Sequence, residues 1–144
     1  MLKNIPPLLG PELLSTLRAM GHGDEIAIVD ANFPAEFLGP SVIRADGIAA
    51  TDILDAVLTV MPLDDFVDES AIGMAVVGDA SAVPPIFGEF EALIARHEPT
   101  RRFSTIERFA FYDRASKAAA LVQTGEARLY GNIILKKGVI RPEG

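Results

Sequence analysis

His22 sits between two glycines in Met20-Gly21-His22-Gly23-Asp24-Glu25, on a stretch whose backbone is free to turn and leave the imidazole near solvent. Imidazole is the side chain whose ordinary pKa suits proton exchange near neutrality, so His22 is a candidate acid or base. Position alone favours a plainer reading, a polar residue tolerated in a loop that ends a helix. Asp30 follows the apolar run Ile26-Ala27-Ile28-Val29. Ligands of open α/β sheets gather at the carboxyl ends of strands, yet an aspartate there also caps turns. Arg108, in Glu107-Arg108-Phe109-Ala110-Phe111-Tyr112, reads as a residue of a strand that either faces water or anchors hydroxyls with its several donors. Tyr130-Gly131-Asn132 is a turn that needs no function, although Tyr and Asn side chains beside a glycine also suit sugar hydroxyls and ring faces.

Other chemistry is narrowed by composition. The chain has no cysteine, which removes disulfides and thiolate catalysis. With His22 and His97 the only histidines, a metal site would have to be assembled mainly from carboxylates, and none is expected. His97, in Arg96-His97-Glu98-Pro99, reads as a helix-end cap, and Lys136-Lys137 as solvated charge. Twenty acidic residues against 13 basic ones leave a net charge of −7, which repels phosphate backbones. Gly21-His22-Gly23 is no dinucleotide fingerprint, and neither a Gly-x-Ser-x-Gly elbow nor a Walker A loop occurs. No run approaches the ~18 apolar residues of a membrane span, and the N-terminal residues lack a signal-peptide pattern, so a cytoplasmic protein is expected.

The elements that must position these residues follow from periodicity. At 144 residues a single domain spanning 1–144 is expected. Pro11 opens a helix with Leu13, Leu14, Leu17 and Met20 on one face, and Gly21 is its expected stop. Residues 25–29 form a buried strand, Asn32-Phe33-Pro34 a turn, and 42–45 a second strand. Thr51 is the expected N-cap of a helix over 52–60. A strand over 72–77 precedes a helix carrying Phe87, Phe90, Leu93 and Ile94. Then come a strand over 104–111, an alanine-rich helix over 113–124 stopped by Gly125, and a final strand over 133–135. Such alternation predicts a three-layer αβα domain with a mixed, largely parallel sheet. Apolar residues make up 49% of the chain, enough for a sheet covered on both faces and for apolar surface buried between subunits.

Several blocks together resemble the RbsD/FucU family of sugar mutarotases: Met20 to Glu25, Asp30, Asn32-Phe33-Pro34-Ala35, Ile43-Arg44-Ala45-Asp46-Gly47, Arg108-Phe109 with Phe111-Tyr112, and Leu129-Tyr130-Gly131-Asn132. The resemblance runs from about Leu9 to Val139. The Asp-Glu pair after His22-Gly23, the Phe33-Pro34-Ala35 turn, Arg108 and Gly131 look like the L-fucose mutarotase branch rather than the D-ribose pyranases. What it implies is an RbsD-like α/β fold and an isomerase that exchanges the α and β anomers of a free monosaccharide without a cofactor. It implies His22 as proton donor and Asp30, Arg108, Tyr130, Gly131 and Asn132 as sugar-binding residues, with Tyr112 a further candidate. It also implies a decameric ring of identical subunits.

Anomer exchange opens the ring, rotates the free aldehyde and closes the ring on its other face. Such proton transfer by a positioned side chain supplies ~10²–10⁴-fold. One geometric expectation follows. His22 precedes the 25–29 strand and Asp30 ends it, so at ~3.3 Å per residue their side chains lie ~15–20 Å apart in one subunit. A monosaccharide cannot bridge that gap, and a site shared between neighbouring subunits is expected unless the loop around Gly21 and Gly23 folds back. The rival readings are a ribose pyranase, a sugar-binding protein without catalysis and, on the acid count only, a carboxylate-metal enzyme.

Overall fold

Five-residue runs with every second side chain aimed at the same face build the centre of this protein, whose computed structural model describes residues 1–143. In β1 (Glu25–Val29), Ile26 and Ile28 point to one face and Ala27 and Val29 to the other, and all four are fully buried. Burial on both faces is what a strand needs when helices cover both sides. The remaining elements are α1 (Pro11–Ala19), α2 (Ala35–Leu38), β2 (Val42–Ala45), α3 (Ala50–Val60), β3 (Ala71–Met74), α4 (Pro85–His97), β4 (Phe103–Ile106), α5 (Arg108–Ala115), β5 (Ala120–Thr124) and β6 (Ile133–Lys136).

The six strands form one sheet in the order β2-β5-β1-β6-β3-β4. β6 alone runs against its neighbours, pairing antiparallel with β1 (Ile28 opposite Ile133) and with β3 (Ile72 opposite Ile134). Helices α1, α3 and α4 cover the face that carries Ile26, Ile28, Val122 and Leu135. The other face, with Ala27, Val29, Leu121 and Ile134, lies under α2 and α5, where Phe33 and Phe111 meet at 5.8 Å between ring centroids. The expected three-layer mixed sheet is therefore the observed one.

Local expectations fail in one long stretch. Residues 104–111 are not a single strand, and 113–124 are not a helix. β4 stops at Ile106 because the Glu107 carboxylate accepts the amides of Phe109 (2.9 Å) and Ala110 (3.0 Å), nucleating α5 at once. Phe111 is buried and Phe109 exposed, a split that a helix produces and a two-residue period, which would put both rings on one face, does not. The alanine-rich segment then supplies β5, wholly buried between β1 and β2 in parallel ladders. Burial in the sheet overrides alanine's helical preference.

Smaller differences have equally local causes. α1 ends at Ala19 with the Met20 amide on the Thr16 carbonyl, and the left-handed residue of the following turn is Gly23 (φ 88°), not Gly21. α3 starts at Ala50 with Ala49 in the cap position, so Thr51 is not its cap. β3 ends at Met74, short of the expected Val77. His97, the last residue of α4, bonds Asp55 of α3 at 2.7 Å instead of capping its own helix.

Candidate functional site

Asp30 leaves β1 at its carboxyl end and is almost completely buried (4% exposed). Its amide donates to Asn132 Oδ1 at 2.8 Å and its Oδ1 accepts the Asn32 amide at 3.0 Å, an Asx turn. Gln123 of β5 fixes the turn from beneath, donating from Nε2 to the carbonyls of Asp30 (3.0 Å) and Phe33 (2.8 Å). Burial pushes the Asp30 carboxyl above the usual range, while hydrogen bonds from Asn32, Asn132, Gly131 and Phe33 pull it back only in part.

The antiparallel course of β6 decides what joins Asp30. Because β6 runs against β1 and β3, its amino end lies beside their carboxyl ends, and the residues entering it are Tyr130, Gly131 and Asn132. Tyr130, not the adjacent glycine, takes the left-handed conformation (φ 63°), and its hydroxyl accepts the Val77 amide at 3.0 Å. Such a backbone costs a non-glycine residue on the order of 1–3 kcal/mol and persists only where its surroundings hold it. Gly131 is required by contact: a Cβ there would lie 2.7 Å from Glu126 Cγ and 3.1 Å from Ile86 Cδ1. Its amide serves the Asp30 carboxylate, so Gly131 contributes backbone and not a wall.

Arg108 is the first residue of α5, a helical position where a strand was expected, and one turn on Tyr112 shares its face. The guanidinium carbon lies 4.5 Å from the Phe109 ring centroid, and Nε is buried with no partner. Tyr112 stands edge-on to Phe33 at 5.4 Å between centroids. These groups enclose a cleft of about 200 Å³, with Asp30, Asn32, Arg108, Tyr112, Tyr130 and Asn132 as its polar lining and Phe33, Met74, Val77 and Leu129 as its apolar one. A larger cleft of about 560 Å³ shares Val77 and Arg108 with it, but its lining is mostly apolar or backbone, and the Glu107 carboxylate in it is committed to capping α5. The smaller cleft is the one with convergent polar groups.

His22 is elsewhere. It precedes β1 at the opposite end of the sheet, where the Gly23 amide bonds the Lys137 carbonyl at 2.9 Å. Its side chain is 39% exposed, its ring meets Phe66 edge-on at 4.6 Å, and Nε2 lies 2.9 Å from Oδ1 of Asp64. Asp64 has a nearly buried side chain and also accepts the Phe66 amide at 3.1 Å. Desolvation pushes its carboxyl up, but the His22 hydrogen bond, the Phe66 amide and the charges of His22 and Lys136 together outweigh it and leave it below the usual range. Asp64 carried no signal in the sequence, because only folding buries its carboxylate beside His22. Asn32, Phe33, Met74, Val77 and Leu129 were likewise not assigned. Lys136 and Lys137 are not solvated charge: Lys136 faces Glu25 at 3.6 Å, and Lys137 Nζ donates to carbonyls at the end of α1.

Among the described residues no group of three or more His, Asp or Glu is placed to hold a metal ion, and no helix is long and apolar enough to cross a membrane. A three-layer α/β domain that gathers carboxylate, amide, guanidinium and phenol groups at the carboxyl end of its sheet belongs to the class that binds small polar ligands there. The chain belongs to the RbsD/FucU family: the profile of the RbsD / FucU transport protein family matches residues 3–140. It is 48% identical to the fucose mutarotase of Homo sapiens over 96% of this chain and 94% of that one. The structure of FucU from Bifidobacterium longum superimposes with a TM-score of 0.91 at 43% identity, covering 96% of this chain and 100% of that one. The fucose mutarotase of Streptococcus pneumoniae, solved in complex with L-fucose, does so with a TM-score of 0.90 at 44% identity over 97% and 100% of the two chains.

Proposed function

We propose that this protein is an isomerase that interconverts the α and β anomers of a free monosaccharide, L-fucose or a close relative, by acid–base ring opening and closing. The observation that carries the reading is the cleft of Asp30, Arg108, Tyr112, Tyr130 and Asn132, in a chain so similar to a mutarotase solved with L-fucose. Asp30, Asn132 and the hydroxyls of Tyr112 and Tyr130 hold sugar hydroxyls. Arg108, with a buried donor unspent, hydrogen-bonds a sugar oxygen or stabilises charge as the ring opens.

In the reaction a proton reaches the ring oxygen, the bond from that oxygen to the anomeric carbon breaks, and the anomeric hydroxyl passes its proton to a water or a tyrosine hydroxyl, leaving an aldehyde. Rotation about the adjacent carbon–carbon bond and the reverse steps give the other anomer. His22 is the proton donor. With Nε2 directed at Asp64, Nδ1 is the nitrogen left to exchange protons with the sugar. No cofactor takes part.

Asp30 and His22 lie at opposite ends of β1, so each site combines the cleft of one subunit with His22 of a neighbour, in a ring that this reading takes to be decameric. Exposed Phe66 beside His22 and exposed Phe109 and Leu129 beside the cleft support such a contact. Heterologous contacts of this head-to-tail kind generate a ring where the rotation between subunits closes. A cytoplasmic location belongs to the same reading, and cell fractionation tests it.

NMR exchange between the α and β signals of L-fucose is the direct test. The protein accelerates it, and His22→Ala abolishes the acceleration while L-fucose still binds. Acceleration of pyranose–furanose exchange in D-ribose, without effect on L-fucose, would replace this reading by a pyranase, and binding without acceleration by a sugar-binding protein. Refolding His22→Ala together with Asp30→Ala tests the shared site. Random mixing restores about a quarter of the sites if the two residues come from different subunits and none if they come from one.

A further inference from the structure

We propose that Lys137 is a positioning residue for His22, an inference that rests on the reading of His22 as proton donor. The loop that carries His22 is closed on itself by the Gly21 amide on Asp24 Oδ2 (2.8 Å) and the Asp24 amide on the Gly21 carbonyl (3.1 Å), contacts that do not tie it to the rest of the fold. Glycines flank the residue on both sides, Gly23 has φ 88°, and the imidazole is 39% exposed with Asp64 as its hydrogen-bond partner among the described residues. What ties the loop to the rest of the fold comes from the other end of the chain. Lys137 Nζ donates to the carbonyls of Leu17 (2.7 Å) and Met20 (2.5 Å), the second of these two residues before His22. Leu17 and Met20 have buried side chains, so these carbonyls belong to a rigid part of the fold. On the far side of His22, the Lys137 carbonyl accepts the Gly23 amide and the Lys137 amide donates to the Asp24 carbonyl, both at 2.9 Å. One residue thus grips the chain both before and after the histidine.

The same stretch holds the histidine's partner. The Lys136 carbonyl accepts the Asp64 amide at 3.0 Å, and the Gly138 amide donates to the Pro62 carbonyl at 2.8 Å. A Cβ at position 138 would lie 2.5 Å from the Leu63 carbonyl oxygen, so the backbones touch. Residues 136–138 are therefore a bracket with the His22 loop on one side and Asp64 on the other. Among the described residues no carboxylate forms an ion pair with Lys137. Its ammonium is spent on main-chain carbonyls at a helix C-terminus, where a cation is favoured.

Lys137→Met keeps the aliphatic stem and removes the donor. Displacing a reacting group by about 1 Å can cost ~10²-fold in rate. The variant is therefore expected to lower kcat for L-fucose anomer exchange by ~10–100-fold and to leave KM unchanged, because the groups that hold the sugar lie at the opposite end of β1. A lysine that served stability alone would lower the melting temperature and leave both constants intact. The second readout is the 15N signal of His22: one tautomer with its hydrogen on Nε2 in the parent, an averaged ring in the variant. If Lys137→Met fails to fold, Lys137→Gln, too short to reach Met20, is read the same way. A folded variant with parental kcat, or a rise in KM with kcat retained, overturns the inference. His22→Ala measured alongside separates the two claims. Full activity in His22→Ala removes the proton-donor reading itself, whereas an inactive His22→Ala with a fully active Lys137→Met removes only the role of Lys137.

Discussion

The two ends of the β1–β6 ladder hold their polar groups in opposite ways. At the carboxyl end of β1, Asp30 is buried and met by the amides of Asn32, Gly131 and Phe33 and by Asn132, with Gln123 locking the turn below. At the amino end, His22 stands half in solvent on a glycine-flanked loop, with one carboxylate behind it. A group that must only recognise hydroxyls gains from a fixed, desolvated setting, where each hydrogen bond is stronger and needs no reorganisation. A group that must exchange protons with a sugar held elsewhere has to protrude, so its order is supplied from behind, by Asp64 and by the bracket at 136–138. The cost of the rigid end is visible in Tyr130, held at φ 63° so that its hydroxyl reaches the Val77 amide.

The sharpest way to break this contrast is to compare the two ends kinetically. His22→Ala should remove ~10²–10⁴-fold of the catalysed exchange and leave the affinity for L-fucose in place, whereas Asp30→Ala should abolish binding measured by calorimetry. The same loss of binding in both variants would show that the ends are not functionally distinct. Next in size is Asp64→Asn, expected to cost ~10–100-fold in kcat by freeing the imidazole from its tautomer and orientation. Stability should move with pH as well. Asp64 has a depressed carboxyl in the folded state, so its contribution is present above the ordinary carboxylate range and is lost as pH falls through the depressed value. The deficit of Asp64→Asn in thermal melts should accordingly be seen at neutral pH and close in acid.

Gly131→Ala tests how tightly the rigid end is packed. The added methyl meets Glu126 and Ile86, and a loss of about 1–3 kcal/mol in denaturant titrations is expected. A neutral substitution would mean that the turn can give way. The smallest effect is the pH dependence of Asp30→Asn. Burial raises the Asp30 carboxyl, so the folded state binds its proton more tightly than the unfolded chain. Its contribution to stability is therefore greatest in acid and declines as pH rises from the ordinary carboxylate range through the raised folded value. The amide has no such dependence, and the melting temperature of Asp30→Asn should gain on that of the parent across that window. A constant difference between about pH 3 and about pH 7 would contradict the raised carboxyl.

The family, the layer order and most of the polar cleft were legible in the sequence. Ile26 to Val29 announces a strand buried on both faces, and Asp30 after it falls where α/β ligands bind. The stretch from 104 to 124 was not legible. Phe109 and Phe111 fit a strand as well as a helix, and only the Glu107 cap, itself a local contact, decides between them. The alanines before Leu121 favour a helix by themselves and become β5 because β1 and β2 flank them. Asp64 was invisible for a different reason, since its burial depends on residues 136–138, more than 70 positions away in sequence.

The sequence by itself named the residues that could act and set how far apart the strand between His22 and Asp30 holds them, because strand rise is a local property that any five-residue β-strand must obey. That the glycine-flanked loop does not fold back along the strand to bring the two side chains together was decided by the tertiary structure. Tertiary structure alone decided what surrounds them. The reversed direction of β6 carries Asn132 to the Asp30 end and Lys137 to the His22 end. No local propensity encodes a strand's direction in a sheet. It is set by which pairing buries the most apolar surface while leaving the fewest backbone groups unpaired.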